Sequence, residues 1–127
     1  LYYHQQYPEA VEQFLLFLDR PDGWKENQME ACRILSFCYR AQGRREEEGE
    51  ALLKTLAYDL PRGEVCCELG RYFLDGGRYA QAAWWYRQAL SADPKLEEGG
   101  FVNPACYLEI PAEGLRRCRE ALGGRFC

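Results

Sequence analysis

Two segments of this chain match each other at a fixed offset, and this repetition limits the possible folds more than any other feature. ACRILSFCYRAQGR begins at Ala31, and VCCELGRYFLDGGR begins at Val65. The matched pairs, each 34 residues apart, are Leu35 with Leu69, Ser36 with Gly70, Tyr39 with Phe73, and Gly43 with Gly77. Self-similarity at such a period is typical of arrays in which one supersecondary unit stacks on the next.

The second copy has the pattern of a helical hairpin. Leu69 and Phe73 stand at i and i+4, on one face of a first helix. A second stripe, at i, i+4 and i+7, is formed by Ala82, Tyr86 and Ala89. Glycines 76 and 77 predict the turn between the helices, because glycine accepts a positive φ. The small residues Gly70 and Ala82 let the two backbones approach closely, and Pro94 stops the second helix.

The second helix of the first copy fits this pattern less well. An unbroken offset puts Glu48 where Ala82 predicts a small residue. A slip of one residue instead aligns Gly49, Leu53, Leu56 and Pro61 with Ala82, Tyr86, Ala89 and Pro94. We favour the slip, which implies an interhelical turn one residue longer in the first copy.

The spacing and order of these residues in residues 63–94 resemble the tetratricopeptide (TPR) consensus. The predicted fold is all-α: a TPR-like right-handed solenoid of antiparallel helical hairpins in a single domain, without a β-sheet. We divide residues 1–127 into a partial repeat 1–20, repeats 29–61 and 63–94, an insertion 95–108, and the first helix of a further repeat at 109–123.

The seven cysteines and the single histidine, His4, do not form a metal or catalytic motif. No CxxC pair occurs, and an odd number does not suit a closed disulfide framework. We expect most thiols, Cys38 and Cys66 among them, to be small buried apolar groups in a reducing compartment. The expectation is a segment that is not itself an enzyme and carries no cofactor and no metal.

Charge and hydropathy argue against two classes of partner. The 16 Lys and Arg against 20 Asp and Glu give a net charge of −4, without the basic field that nucleic-acid binding leaves in a sequence. No apolar run approaches the roughly 20 residues that cross a bilayer. We expect a cytoplasmic protein that does not bind nucleic acid, does not span a membrane, and takes a protein or peptide as partner.

Two surfaces are candidates for that partner. In such a solenoid the first helix of each hairpin lines a concave groove, which predicts a groove lined by Arg33, Phe37, Arg40, Cys67, Arg71, Leu74, Arg117 and Glu120. Tyr86 fills the hairpin interior, so at least one of Trp84 and Trp85 points elsewhere, either against the next hairpin or into a partner or dimer interface.

Nearly the whole chain resembles the TPR-containing C-terminal tail that follows the catalytic domain in many bacterial family 2 glycosyltransferases. The resemblance rests on YYHQQYPEAVEQFLLFL, on EACRILSFCYRAQG, on LPRGE (residues 60–64), on the aromatic run 84–86, and on GGFVNPACYLEIPAEGLRRC. It implies a scaffold that packs on, dimerises or presents acceptor substrate to a transferase domain. The start at Leu1 within a helical pattern likewise predicts a segment of a longer protein. The alternative is a stand-alone TPR adaptor that binds a peptide in its groove.

Overall fold

A computed structural model describes residues 7–18, 25–58, 60–92 and 103–123. All regular structure in these ranges is helical, as predicted. The α-helices are α1 (Tyr7–Leu18), α2 (Lys25–Ala41), α3 (Arg45–Lys54), α4 (Gly63–Asp75), α5 (Tyr79–Ser91) and α6 (Glu109–Ala121). Short 3-10 turns occur at Thr55–Ala57 and Pro104–Tyr107. The chain divides into two units, Leu1–Leu60 and Pro61–Cys127.

The first unit is built on α2, which packs against both α1 and α3. Its apolar residues recur every three or four positions, so one stripe of each helix faces the interior. The buried core comprises Ala10, Val11 and Leu18 of α1, Ala31, Cys32, Leu35, Cys38 and Tyr39 of α2, and Ala51 of α3. Phe14 and Phe17 of α1 pack against this core and are partly buried.

The second unit is a three-helix arrangement in which α4, α5 and α6 all contact one another. The Tyr86 ring of α5 lies between the other two helices. A Cβ atom added to Gly70 of α4 or to Gly114 of α6 would collide with this ring. The two glycines therefore allow the close approach, as the sequence predicted for Gly70, and Tyr86 is only 3% exposed.

The hairpins α2–α3 and α4–α5 have the same turn. Arg44 N donates to Tyr39 O at 2.9 Å, and Arg78 N donates to Phe73 O at 2.8 Å. Three further backbone hydrogen bonds at this turn have equivalents one repeat apart, with lengths that agree within about 0.1 Å, and in the first turn Gln42 N also donates to Tyr39 O at 3.1 Å. The two interhelical connections therefore have equal length.

Glycine at the helix ends permits this turn. Gly43 and Gly77 have φ values of 73° and 77°, in the left-handed region that favours glycine. Gly123, after α6, has a φ of 66° and the same pattern of amide hydrogen bonds back to its helix. Gly123 thus ends α6 in a turn like those at Gly43 and Gly77.

The slip predicted within α3 is wrong. With an unslipped offset of 34, Glu48, Leu52 and Thr55 correspond to Ala82, Tyr86 and Ala89, and all six residues are buried. Of the residues that the slip placed inside, Gly49 is buried, but the two large apolar ones, Leu53 and Leu56, are 44% and 38% exposed. The turn fixes the register, and Thr55 satisfies its buried hydroxyl by donating to Leu52 O at 2.7 Å.

Helices α1, α3, α4, α5 and α6 lie within the segments 1–20, 29–61, 63–94 and 109–123, whereas α2 begins at Lys25, before the predicted start of repeat 29–61. The last residues of the predicted insertion 95–108 form the 3-10 turn Pro104–Tyr107. Three predicted features, His4, Pro94 and residues 95–102, lie outside the described residues. No helix in the described ranges combines the length and apolar character needed to cross a bilayer.

Candidate functional site

The start of α4 is covered by the chain segment that precedes α6. Glu64 is buried, and its two carboxylate oxygens accept hydrogen bonds from Asn103 N at 2.7 Å and from Tyr107 Oη at 3.0 Å. Gly63 makes room for the Tyr107 ring, which a Cβ atom there would meet at 2.7 Å. A buried carboxylate with two donors is well satisfied, so this contact anchors residues 103–107 on α4.

Two residues of the predicted groove are buried under this unit's own chain. Cys67 donates its thiol hydrogen to Cys106 O at 3.0 Å and is 5% exposed. Leu74 is buried in a cluster that includes Leu115 and Cys118 of α6. The prediction that Cys67 and Leu74 line an open groove is wrong, because residues 103–107 and α6 cover that face of α4.

The other groove residues of the second unit lie at its surface. Arg71 is half-buried and forms an ion pair with Asp75 at 3.1 Å. Arg117 is exposed on α6, and Glu120 pairs with Arg116 at 2.8 Å. Arg116 also pairs with Glu113, so this face of α6 carries a ladder of opposite charges at helical spacing.

The groove residues of the first unit all lie on α2. Phe37 is 43% exposed, a large fraction for an aromatic side chain. Arg33 pairs with Glu30 at 2.8 Å, and Arg40 is exposed one turn beyond Phe37. Phe37 and Arg40 are thus exposed and Arg33 is partly buried, and whether these three residues line a peptide-binding groove stays a prediction.

An open cleft runs between α1 and α2. One cavity of about 680 Å³ is lined by Tyr7, Glu30, Ile34, Phe37, Arg40 and Ala41. A second, of about 440 Å³, is lined by Ala10, Gln13, Phe14, Phe17, Glu30, Ala31 and Ile34. Because both cavities share Glu30 and Ile34, they adjoin along the helix pair. The lining of this α1–α2 cleft is mostly aromatic and aliphatic, with Glu30 in both cavities and Arg40 in the larger one.

The two tryptophans of α5 have different environments. Trp84 is 49% exposed, and its ring meets the ring of Trp85 edge to face at a centroid distance of 4.9 Å. Trp85 is partly buried against a cluster that contains Cys66, Ala89 and Tyr107. Trp85 therefore packs inside its own unit, and Trp84 is the tryptophan that α5 presents at the surface.

The cysteines are packed as apolar groups. Cys32, Cys38, Cys66, Cys67, Cys106 and Cys118 are all buried, as predicted for Cys38 and Cys66, and Cys127 lies outside the described residues. Burial raises the pKa of Cys32 to about 11, although Lys54 acts in the opposite direction. Burial, reinforced by the neighbouring Cys106, also raises the pKa of Cys67 well above its ordinary value. Such thiols stay neutral at physiological pH and are poor nucleophiles and poor metal ligands.

Within the described ranges, no three His, Cys, Asp or Glu side chains converge in a way that could hold a metal ion. Comparison of the chain with protein-family models, with curated proteins and with solved structures finds no match. The surfaces themselves are therefore the basis on which a function is proposed.

Proposed function

We propose that this chain is a non-catalytic scaffold of TPR-like helical hairpins that mediates protein–protein contacts or dimerisation. The observation that carries the proposal is the turn that recurs after 34 residues with the same hydrogen bonds and the same left-handed glycine. Equal turns in an equal register support a repeating hairpin unit. Repeats of this kind generally present extended surfaces to protein partners.

Trp84 is the best-supported contact residue in the second unit. A tryptophan with half of its surface in water is the type of side chain that dominates binding energy when a partner covers it. Trp85 holds the Trp84 ring from the side, so little rotamer entropy is lost on binding. We infer that Trp84 anchors a protein interface.

We further propose that the parent protein is a family 2 glycosyltransferase and that this segment is its C-terminal part. The resemblance rested on several separate sequence features, among them LPRGE and the segment before the last helix. Glu64 of the first feature accepts hydrogen bonds from Asn103 and Tyr107 of the second. That contact supports the proposal by giving a physical reason for the two features to occur together.

The DNA upstream of the Leu1 codon tests the link to a transferase. We expect an open reading frame of about one domain's length that encodes a nucleotide-sugar-binding pattern with an Asp-x-Asp motif. An in-frame stop codon shortly before Leu1 would exclude this parent protein and favour the stand-alone adaptor.

Sedimentation velocity then tests the contact itself, with the chain alone and mixed with the encoded transferase domain. We expect either a complex with that domain or a dimer of the 14.8 kDa chain. Trp84→Ala should weaken this association. The control variant Gln81→Ala, at another exposed position of α5, should leave it unchanged. A chain that stays monomeric by itself at high concentration and does not bind the transferase domain in the mixture would refute the Trp84 interface.

The alternative function, a TPR adaptor that binds a peptide, is favoured by one observation in the first unit. Phe37 is exposed, and it lines the α1–α2 cleft together with Arg40. An apolar anchor next to a fixed charge is a common arrangement for peptide recognition.

A further inference from the structure

Residues 103–107, the strap, lie on α4 and are held there by hydrogen bonds to its side chains. The first amide of the strap and its last hydroxyl donate to the two carboxylate oxygens of Glu64, at 2.7 and 3.0 Å. Between these two points the Cys106 carbonyl accepts the thiol hydrogen of Cys67 at 3.0 Å. Two of the three contacts therefore use the backbone of the strap, as is usual when a protein binds a peptide.

The strap forms its turn from its own residues. The Asn103 side-chain oxygen accepts a hydrogen bond from Ala105 N at 3.2 Å, and Pro104 begins the 3-10 turn. Proline at that position has a φ already suited to a helical turn. A separate peptide with the same Asn-Pro start is therefore partly ordered before it binds, which lowers the conformational entropy that binding removes.

One side chain of the strap fills a fitted pocket. The Tyr107 ring is buried, and a Cβ atom at Gly63 would lie 2.7 to 2.9 Å from three of its carbons. The adjoining carboxylate of Glu64 accepts the ring hydroxyl. Phenylalanine in place of the tyrosine would leave a buried carboxylate oxygen without this donor, which discriminates against a ring without a hydroxyl. Gly63, Glu64 and Cys67 together form the strap site.

The repeat pattern places the strap site on the face of α4 that was predicted to line a groove. Glu64 lies one turn before Cys67, which is one of the predicted groove residues. The residues 34 positions earlier, on α2, are Glu30 and Arg33, which pair at 2.8 Å. Cys67 replaces that arginine in α4, so Glu64 has no such cation one turn on and takes its donors from another segment of the chain.

The helical core of the second unit does not include the strap. The cluster around Tyr86 contains buried residues of α4, α5 and α6, and these three helices contact one another directly. Cys106 and Tyr107 belong instead to a separate cluster with residues of α4 and α5. Release of the strap therefore uncovers the strap site without separating the three helices.

We propose that the strap site binds a short segment of a partner protein and that the strap is an internal competitor that keeps the site closed. The partner segment has the chemistry of the strap: a turn that begins with Asn-Pro and places a tyrosine four residues after the backbone N–H that donates to Glu64. Its apparent affinity is lowered in proportion to the small fraction of chains in which the strap is open. The proposal specifies the partner of the proposed scaffold function and rests on that function.

The variant Tyr107→Ala tests this competition, because it removes the tyrosine of the strap and leaves the three residues of the strap site in place. The probe is an N-acetylated synthetic peptide with the sequence of residues 103–108, in which Cys106 is replaced by alanine and a dye is attached at the C-terminus. Fluorescence anisotropy measures its binding to the full chain. We expect saturable binding to Tyr107→Ala, about tenfold or more tighter than to the natural chain, whose strap competes. A version of the peptide with Tyr107→Phe should bind the variant about tenfold more weakly.

Two further substitutions in the Tyr107→Ala chain locate the bound peptide, and circular dichroism checks that each protein folds. Glu64→Gln should weaken binding by about tenfold or more, because a neutral amide replaces the carboxylate that accepts both donors. The matched control is Glu113→Gln on α6, at an exposed ion pair, which should change the dissociation constant less than about twofold.

Amide exchange in the natural chain gives a test that does not depend on the folding of any variant. Roughly 1 mM unlabelled peptide should displace part of the strap and speed exchange at Asn103 several-fold, because that N–H loses its acceptor. Exchange at Leu69, in the buried part of α4, should not change.

Five results would each overturn the proposal. They are no saturable binding by folded Tyr107→Ala at roughly 1 mM peptide, equal binding of the tyrosine and phenylalanine peptides, equal binding by the natural chain and the variant, and an unchanged rate of Asn103 exchange. The fifth is self-association of the natural chain that excess peptide abolishes, which would assign the strap site to the strap of a second copy. The Trp84→Ala comparison uses neither the peptide nor a strap variant, so a failure here is distinguishable from a failure of the scaffold proposal.

Discussion

A single methyl group added to α4 at Gly70 tests the packing that holds the second unit together. A Cβ atom there would lie 2.7 to 2.8 Å from three carbons of the Tyr86 ring, about 1 Å closer than carbon atoms normally pack. The ring has little room to move, because Gly114 of α6 also lies against it. Overpacking costs about 1–3 kcal/mol, and alanine gains about 1 kcal/mol of helix propensity over glycine. We therefore expect Gly70→Ala to lower the free energy of unfolding by up to about 2 kcal/mol.

A double-mutant cycle isolates the contact. Tyr86→Leu removes the ring, so Gly70→Ala should stabilise that background by about 1 kcal/mol, and the coupling should be about 1–3 kcal/mol. Urea unfolding followed by circular dichroism measures the four proteins. Ser36→Ala is the control, because Ser36 holds the matching position of the first hairpin and already carries a Cβ atom. If Gly70→Ala stabilises the natural chain as much as the Tyr86→Leu variant, the close contact does not exist and the reasoning is refuted.

Three further outcomes are expected. Glu64→Ala should lower the free energy of unfolding by about 2–3 kcal/mol. It should also speed amide exchange at Asn103, because the Asn103 N–H donates a hydrogen bond to the Glu64 carboxylate. The control Glu113→Ala, at an exposed ion pair, should change neither the stability nor the exchange rate. Raising the pH from 9 to 11 should destabilise the fold, because the unfolded chain releases the Cys32 proton near 9.0 and the folded chain holds it to about 11. Cys32 contributes about 2 kcal/mol of this loss in urea titrations, so the loss should be smaller by about that amount in Cys32→Ala, and an equal loss in both proteins would contradict the assignment. At neutral pH the six described cysteines should react with a thiol reagent only after denaturation, and rapid native labelling of Cys66 would show that the thiol cluster is open.

The helical hairpins could be predicted from the sequence because the turn and the apolar stripes are local signals. The register of α3 could not, since two of its core positions are occupied by polar residues. Glu48 and Thr55 are buried, and apolar Leu53 and Leu56 lie outside. The position of the turn glycine, Gly43, indicated the correct register of α3. The prediction was wrong because it gave more weight to the apolar residues of α3 than to this glycine.

The candidate surfaces were predicted only where they depend on a single helix. Phe37 and Trp84 are exposed, as helical spacing indicated. Cys67 was wrongly predicted to be accessible. It is buried against Cys106, which is 39 residues away, and no local sequence pattern indicates a contact over that separation. The hydrogen bond that Glu64 accepts from the Tyr107 hydroxyl could not be predicted either, because it also joins residues far apart in the sequence.

The central claim is that the two hairpins are copies of one unit in the same register, since the proposed functions rest on that equivalence. Solvent paramagnetic relaxation of methyl groups, measured by NMR with a soluble gadolinium probe, tests it most directly. The account predicts that the Leu52 methyls, at the position equivalent to Tyr86, are protected, and that the Leu53 methyls are broadened, as their exposures of 0% and 44% require. Broadened Leu52 with protected Leu53 would restore the slipped register and contradict the account.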